Sequence, residues 1–156
     1  MTSTDKIRPF LEEQAIEYLT NAKEFNSDEL TDSTGKKKIL KKNIFNKIGH
    51  ALHALNPVFK EVTFSEQVKS LFRSVGYKKP IVCQSMYIFK QPFIGGEVTI
   101  HQDGSYLHVE PLRVCGIWIA LEDCTLENGC LSFIPGSNKW PLSRRFIRNP
   151  NKEEFN

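Results

Sequence analysis

The stretch IVCQSMYIFKQPFIGGEVTIHQDGS, residues 81–105, decides how the chain is read. Residues 81–89 are rich in apolar and aromatic side chains and stop at Gln91-Pro92, as a strand does. Gly95-Gly96 then turns the chain into a second short strand over 97–103. Successive side chains of a strand point to opposite sides. His101 and Asp103 therefore project together and Gln102 projects away from them.

Downstream, residues 114–121 are almost continuously apolar, as expected of a strand covered on both faces. A fourth strand is expected over 130–134, stopped by Pro135-Gly136-Ser137. Upstream the texture is helical. Over 63–75, Phe64, Val68, Leu71, Phe72 and Val75 share one helix face. Thr63 and Glu66 have capping-box spacing there, and Gly76 closes the helix. Residues 44–55 suit a short helix ended by Asn56-Pro57. Residues 20–46 are polar and read as a long loop. Residues 6–19 are ambiguous: Ile7, Phe10, Leu11, Ala15, Tyr18 and Leu19 recur at helical spacing, but Pro9 is tolerated only near a helix start. The expected architecture is mainly β with N-terminal helices, a partial double-stranded β-helix (jelly roll). Residues 1–156 are expected to be a single incomplete domain, with helices in the N-terminal region 1–79 and jelly-roll strands from about residue 80.

Composition narrows the function classes. A chain of 156 residues, 40% hydrophobic and 25% charged, can bury a core of its own. A net charge of +3 gives no footprint for nucleic acid. Lys36, Lys37, Lys38, Lys41, Lys42 and Lys47 cluster, which suits a solvated face better than a phosphate-rich ligand such as an acyl-CoA. No apolar run approaches the roughly 20 residues that span a bilayer, and the first ten residues are polar. Cys83, Cys115, Cys124 and Cys130 include no C-x-x-C pair and are expected to be reduced, which points to a cytoplasmic protein.

An imidazole and a carboxylate on one side of a strand end can fill two adjacent corners of an octahedron. Two histidines and one carboxylate on one face leave three positions open, the donor set of iron(II) oxygenases. H-x-D alone is a weak signal, since such a pair is usually surface. Its setting after Gly95-Gly96, between apolar Val98, Ile100 and a following apolar strand, strengthens it. His50 and His53 are three apart without a carboxylate placed with them, and His108 reads as a loop residue. No zinc spacing, nucleophile elbow or phosphate loop is present.

The runs NKIGHALHALNPVFK (46–60), VCQSMYIFKQPFIGGEVTIHQDGSYL (82–107) and EPLRVCGIWIALEDCTLENGCLSFIPGS (110–137) together resemble the phytanoyl-CoA dioxygenase family. The resemblance covers roughly residues 44–148. It implies an iron(II)- and 2-oxoglutarate-dependent dioxygenase, with His101 and Asp103 as the first two metal ligands. It also implies that Lys47, Met86 and Trp118 line the 2-oxoglutarate pocket. Lys47 would answer a carboxylate of the co-substrate. Met86 and Trp118 would supply an apolar wall against water, although core packing alone would also account for them. Near residues 5–10, related chains carry strand-like sequence. By analogy the substrate is a small lipid-like molecule or an acyl-CoA. The family places a second histidine, then an arginine for 2-oxoglutarate, on a later strand. The sequence stops at Asn156, before either arrives. The expectation is a fragment of an active enzyme that is inactive by itself. The alternative is a catalytically inactive short form acting as a binding or interaction protein.

Overall fold

Two antiparallel sheets and a row of short helices make up the ordered elements. The computed structural model describes residues 6–22 and 28–147. The elements are β1 (Ile7–Leu11), α1 (Ala15–Thr20), β2 (Glu29–Thr31), β3 (Lys38–Leu40), β4 (Phe45–His50), α2 (Leu52–Leu55), α3 (Pro57–Thr63), α4 (Glu66–Ser74) and β5 (Ser85–Ile88). The chain divides into two units, Met1–Gly96 and Glu97–Asn156. The fold is mixed helix and strand, and no jelly roll is formed among the described residues.

In the first unit a three-stranded sheet runs β1-β4-β5, and β2 pairs with β3 in a separate hairpin. Helical spacing over 6–19 misleads for its first half. Residues 7–11 form β1, with Pro9 opposite Ile48. The physical reason is position: β1 is an edge strand, where a residue without an N–H costs no ladder bond. Only Ala15–Thr20 is helical, and it buries Ala15 and Tyr18.

The helix expected over 44–55 is also corrected. Residues 45–50 form β4, the central strand, held by β1 on one side and β5 on the other. Ladder pairing on both edges outweighs the apolar spacing, and only Leu52–Leu55 stays helical. Asn56-Pro57 ends that turn as expected and starts the next helix too. The Asn56 side-chain oxygen accepts from Val58 N–H at 3.0 Å and Phe59 N–H at 3.2 Å, with Pro57 in the first turn. Thr63 closes α3 and is no cap; Ser65 caps α4 by accepting from Val68 N–H at 3.4 Å. The helix expected over 63–75 is thus α4, starting later than expected, at Glu66. Glu66 has a different task from a capping box, pairing with Lys69 at 2.9 Å and Arg73 at 3.4 Å.

The expected loop over 20–46 contains β2 and β3, whose pairing Leu30↔Ile39 faces the core. That core comprises Ala15, Tyr18, Leu30, Ile39, Ile44 and Ile94. Asp32 fixes the hairpin turn. Its Oδ1 accepts from Thr34 Oγ1 at 2.6 Å and from Thr34 N–H at 3.0 Å. The Thr34 hydroxyl, and then its N–H, hold the Asp32 carboxyl below the ordinary aspartate value of 3.8. Above that value the contribution to stability is complete. It is lost as pH falls through the lower folded-state value and the carboxyl is protonated. The melting temperature of Asp32→Asn is therefore expected to depend less on pH than the wild type on the acid side of 3.8. Melting curves between pH 2 and 6 check this, and parallel acid limbs would contradict it.

The strand expected over 81–89 shortens to Ser85–Ile88. In the second unit the strands expected over 97–103, 114–121 and 130–134 are not formed among the described residues. Alternating or continuous apolar sequence specifies which faces want burial. A strand needs in addition a neighbouring backbone to take its N–H and C=O groups. Here apolar side chains are exposed, Ile100 at 87% and Phe133 at 84%. The stop read at Pro135-Gly136-Ser137 does form a turn, where Ser137 N–H bonds Ile134 C=O at 3.1 Å, and another turn is closed where Cys130 N–H bonds Thr125 C=O at 3.1 Å. All four cysteines are free thiols. Among the described residues no helix is long and apolar enough to cross a membrane.

Candidate functional site

The H-x-D pair sits where an extended segment runs into a single 3-10 turn, Asp103–Ser105. The turn is closed by backbone bonds alone: Asp103 C=O accepts from Tyr106 N–H at 3.0 Å and Leu107 N–H at 2.9 Å, and Gln102 C=O from Ser105 N–H at 2.9 Å. The Asp103 carboxylate is therefore left for other work. Asp103 Oδ1 lies 3.4 Å from His101 Nε2, and both side chains are about half exposed.

A backbone contact sets the tautomer of His101. Its Nδ1 lies 2.7 Å from the Thr99 carbonyl oxygen, which can only accept, so the Nδ1 hydrogen is donated there. In the neutral ring, Nε2 then carries a lone pair directed toward Asp103. A carbonyl holding the far nitrogen in this way is the usual support of a metal-binding histidine. Gly116 lies beside them, where a Cβ would stand 3.7 Å from Asp103 Oδ2. The Tyr106 ring meets His101 edge-on at 6.0 Å, and Phe146 packs against Tyr106 at 5.6 Å.

The middle residue of the motif is tied down separately. Gln102 Oε1 accepts from Ser143 N–H at 3.2 Å and Ser143 Oγ at 3.3 Å, while its Nε2 donates to Pro141 C=O at 3.2 Å. Among the described residues no cluster of three His, Cys, Asp or Glu could hold a metal. The other histidines are engaged elsewhere. His53 Nδ1 meets Ser85 Oγ at 2.8 Å, His50 stacks near Phe10 at 5.1 Å, and His108 lies 4.0 Å from Glu110.

Two further expected site residues share one sheet face in the first unit. Lys47 stands opposite Ile88, and Gly49, two residues on, stands opposite Met86. Met86 lies across Gly49, where any Cβ would come within 2.9 Å of Met86 Cγ. The Lys47 ammonium sits 5.4 Å from the centre of the Phe10 ring, a cation–π contact. Trp118 lies in the second unit, two residues beyond Gly116, with its side chain half exposed. Two residues with local roles escaped the sequence. Glu12 is buried and accepts from Gly96 N–H at 3.0 Å, and Gln102 clamps its neighbours. Gln102 carried no signal beyond its place between His101 and Asp103.

Residues 6–155 match the phytanoyl-CoA dioxygenase (PhyH) family, and the chain belongs to that family. It is 51% identical over 151 residues to phytanoyl-CoA dioxygenase domain-containing protein 1 of Bos taurus, covering 96% of this chain and 47% of that protein. Against a phytanoyl-CoA dioxygenase of Arabidopsis thaliana it is 50% identical over 153 residues, 98% of this chain and 49% of the relative. Phytanoyl-CoA dioxygenase 1 of Oryza sativa subsp. japonica is 60% identical over 104 residues, 67% of this chain and 37% of its own. The chain thus spans about half the length, or less, of these relatives.

Proposed function

We propose that the protein belongs to an iron(II)- and 2-oxoglutarate-dependent dioxygenase in which His101 and Asp103 supply two of the metal's ligands. The observation that carries this is the pair itself: a nitrogen lone pair and a carboxylate oxygen 3.4 Å apart, with the tautomer fixed by Thr99 C=O. A neutral imidazole and a carboxylate fit two adjacent positions on an iron(II) ion. When bound, iron would supply dioxygen activation, so that a C–H bond becomes C–OH while 2-oxoglutarate is oxidised to succinate and carbon dioxide.

The protein's own residues would bind and orient. Lys47 presents a positive charge suited to a carboxylate of 2-oxoglutarate, next to the apolar Met86. Trp118 would help exclude water from the reacting centre. The double-stranded β-helix expected of the family would need partner strands for the apolar segments 114–121 and 130–134, which form no ladder among the described residues. The substrate class is a small lipid-like molecule, an acyl-CoA among the candidates. Four free thiols suit a reducing, cytoplasmic setting.

Two protein donors alone hold iron(II) weakly, because affinity grows with a preformed ligand face. The 156 residues by themselves are therefore expected to release no succinate above a metal-free control. The same two-donor site favours a second reading, a non-catalytic chain that binds a ligand or partner. The test is a manganese(II) titration followed by electron paramagnetic resonance, with and without 2-oxoglutarate. Binding is expected to tighten with 2-oxoglutarate and to weaken at least about tenfold in His101→Ala. Manganese affinity indifferent to both would overturn the metal reading. Tightening by His101 without 2-oxoglutarate dependence would favour the non-catalytic one.

A further inference from the structure

We propose that Gln102 is a positioning residue for the metal site, its side-chain amide standing in for a missing β-ladder and fixing the angle between His101 and Asp103. The inference rests on the metal reading above and goes beyond it, since Gln102 points away from the pair and touches no metal.

Residues 97–103 have no strand partner among the described residues, so ladder bonds do not orient the segment that carries the two donors. The Gln102 amide supplies equivalent bonds. Its oxygen accepts twice from Ser143 and its NH2 donates to Pro141 C=O. This is the pattern a neighbouring peptide unit would offer, made by a side chain. One step further on, Phe146 N–H bonds Ser105 C=O at 2.8 Å, and the Phe146 ring packs on Tyr106. Residues 141–146 are thereby laced alongside 102–106.

Gln102 is covalently between the two donors. A rotation that swings its side chain away from Ser143 also turns the backbone at His101 and Asp103. The Nδ1 bond to Thr99 fixes the His101 ring relative to the chain before it, and the 3-10 turn fixes Asp103 relative to the chain after it. Gln102 is the joint between those two fixed parts, and three bonds to residues 141 and 143 lock it. Loss of such an outer support typically weakens metal binding 10–100-fold.

The test is a cobalt(II) titration of the full chain read by visible absorption, paired with amide hydrogen exchange at Ser143. Gln102→Leu keeps the bulk and loses all three bonds. It is expected to lower cobalt affinity about tenfold, shift the absorption bands and speed exchange at Ser143. Gln102→Glu keeps the acceptor toward Ser143, so Ser143 protection and the wild-type bands are expected to return. Ser143→Ala should weaken binding slightly in the wild type and not further in Gln102→Leu, because the two act through one contact. Unchanged affinity and bands in Gln102→Leu, with binding abolished in His101→Ala, would overturn this inference alone. Binding unchanged in His101→Ala would overturn the metal reading and this inference with it.

Discussion

Asp103→Ala is expected to weaken iron(II) binding at least about 100-fold and to leave stability within about 0.5 kcal/mol of wild type. The two effects separate because the turn at Asp103 is held by its backbone carbonyl, which accepts from Tyr106 and Leu107 N–H. The carboxylate is 58% exposed, with Oδ1 3.4 Å from His101 Nε2. Alanine therefore removes the proposed ligand and leaves the backbone bonds of the turn in place. Asp103→Asn sharpens the result, since the amide keeps the shape and loses the charge that a divalent ion requires. It should fall close to the alanine variant. Calorimetric iron(II) titration under anaerobic conditions measures the binding, and thermal unfolding measures the fold. If both variants bound iron as the wild type does, Asp103 would not be a ligand. If both lost several kcal/mol of stability, the carboxylate would be structural after all.

The closeness of His101 to Asp103 was more legible than the fold that surrounds the pair. His101 and Asp103 were readable because spacing of two implies proximity in any extended chain, and they do meet at 3.4 Å although residues 97–103 form no ladder. Lys47 and Met86 came from resemblance, and the register of β4 against β5 puts them on one face. Their placement relative to each other needed long-range pairing, which local sequence does not encode. The same limit explains the misread elements. Residues 45–50 satisfy a helical pattern and still form a central strand, because two strands whose paired residues lie 34 to 43 positions away in the chain supply its bonds. Pro9 was the available clue for β1: a poor helix residue that an edge strand tolerates. Capping signals misled by two residues, since Thr63 and Ser65 are equally good caps in sequence and only the break between α3 and α4 chooses Ser65. Gln102 could not be found from sequence, because its partners lie some forty residues on.

The largest stability effect is expected at Ile94, one residue from a position where substitution should cost nothing. Ile94 is 2% exposed and completes the cluster formed by Ala15, Tyr18, Leu30, Ile39 and Ile44. Truncation to alanine removes buried methylene and methyl groups and leaves a cavity, a loss of about 2–5 kcal/mol. Small domains have about 5–15 kcal/mol in total, and for a chain of this length the melting temperature should drop by roughly 4–20 °C. The turn around Ile94 cannot easily collapse to fill the gap. Gly95 N–H bonds Gln91 C=O at 3.1 Å, Gln91 Nε2 holds Phe45 C=O at 3.0 Å, and Gly96 N–H is held by Glu12. A side chain at Gly95 would place its Cβ 2.5 Å from the Gln91 carbonyl oxygen, which shows how closely the turn is wound. Phe93 sits inside the same turn with 98% of its surface exposed and a left-handed φ of 70°. Glycine there relieves a conformation that costs other residues about 1–2 kcal/mol, so Phe93→Gly should match or exceed wild-type stability. Urea denaturation of the two variants side by side decides the matter. Equal losses at both positions would mean that the aromatic ring of Phe93 is covered in the folded protein. A loss confined to Ile94 would place the core where the six-residue cluster puts it.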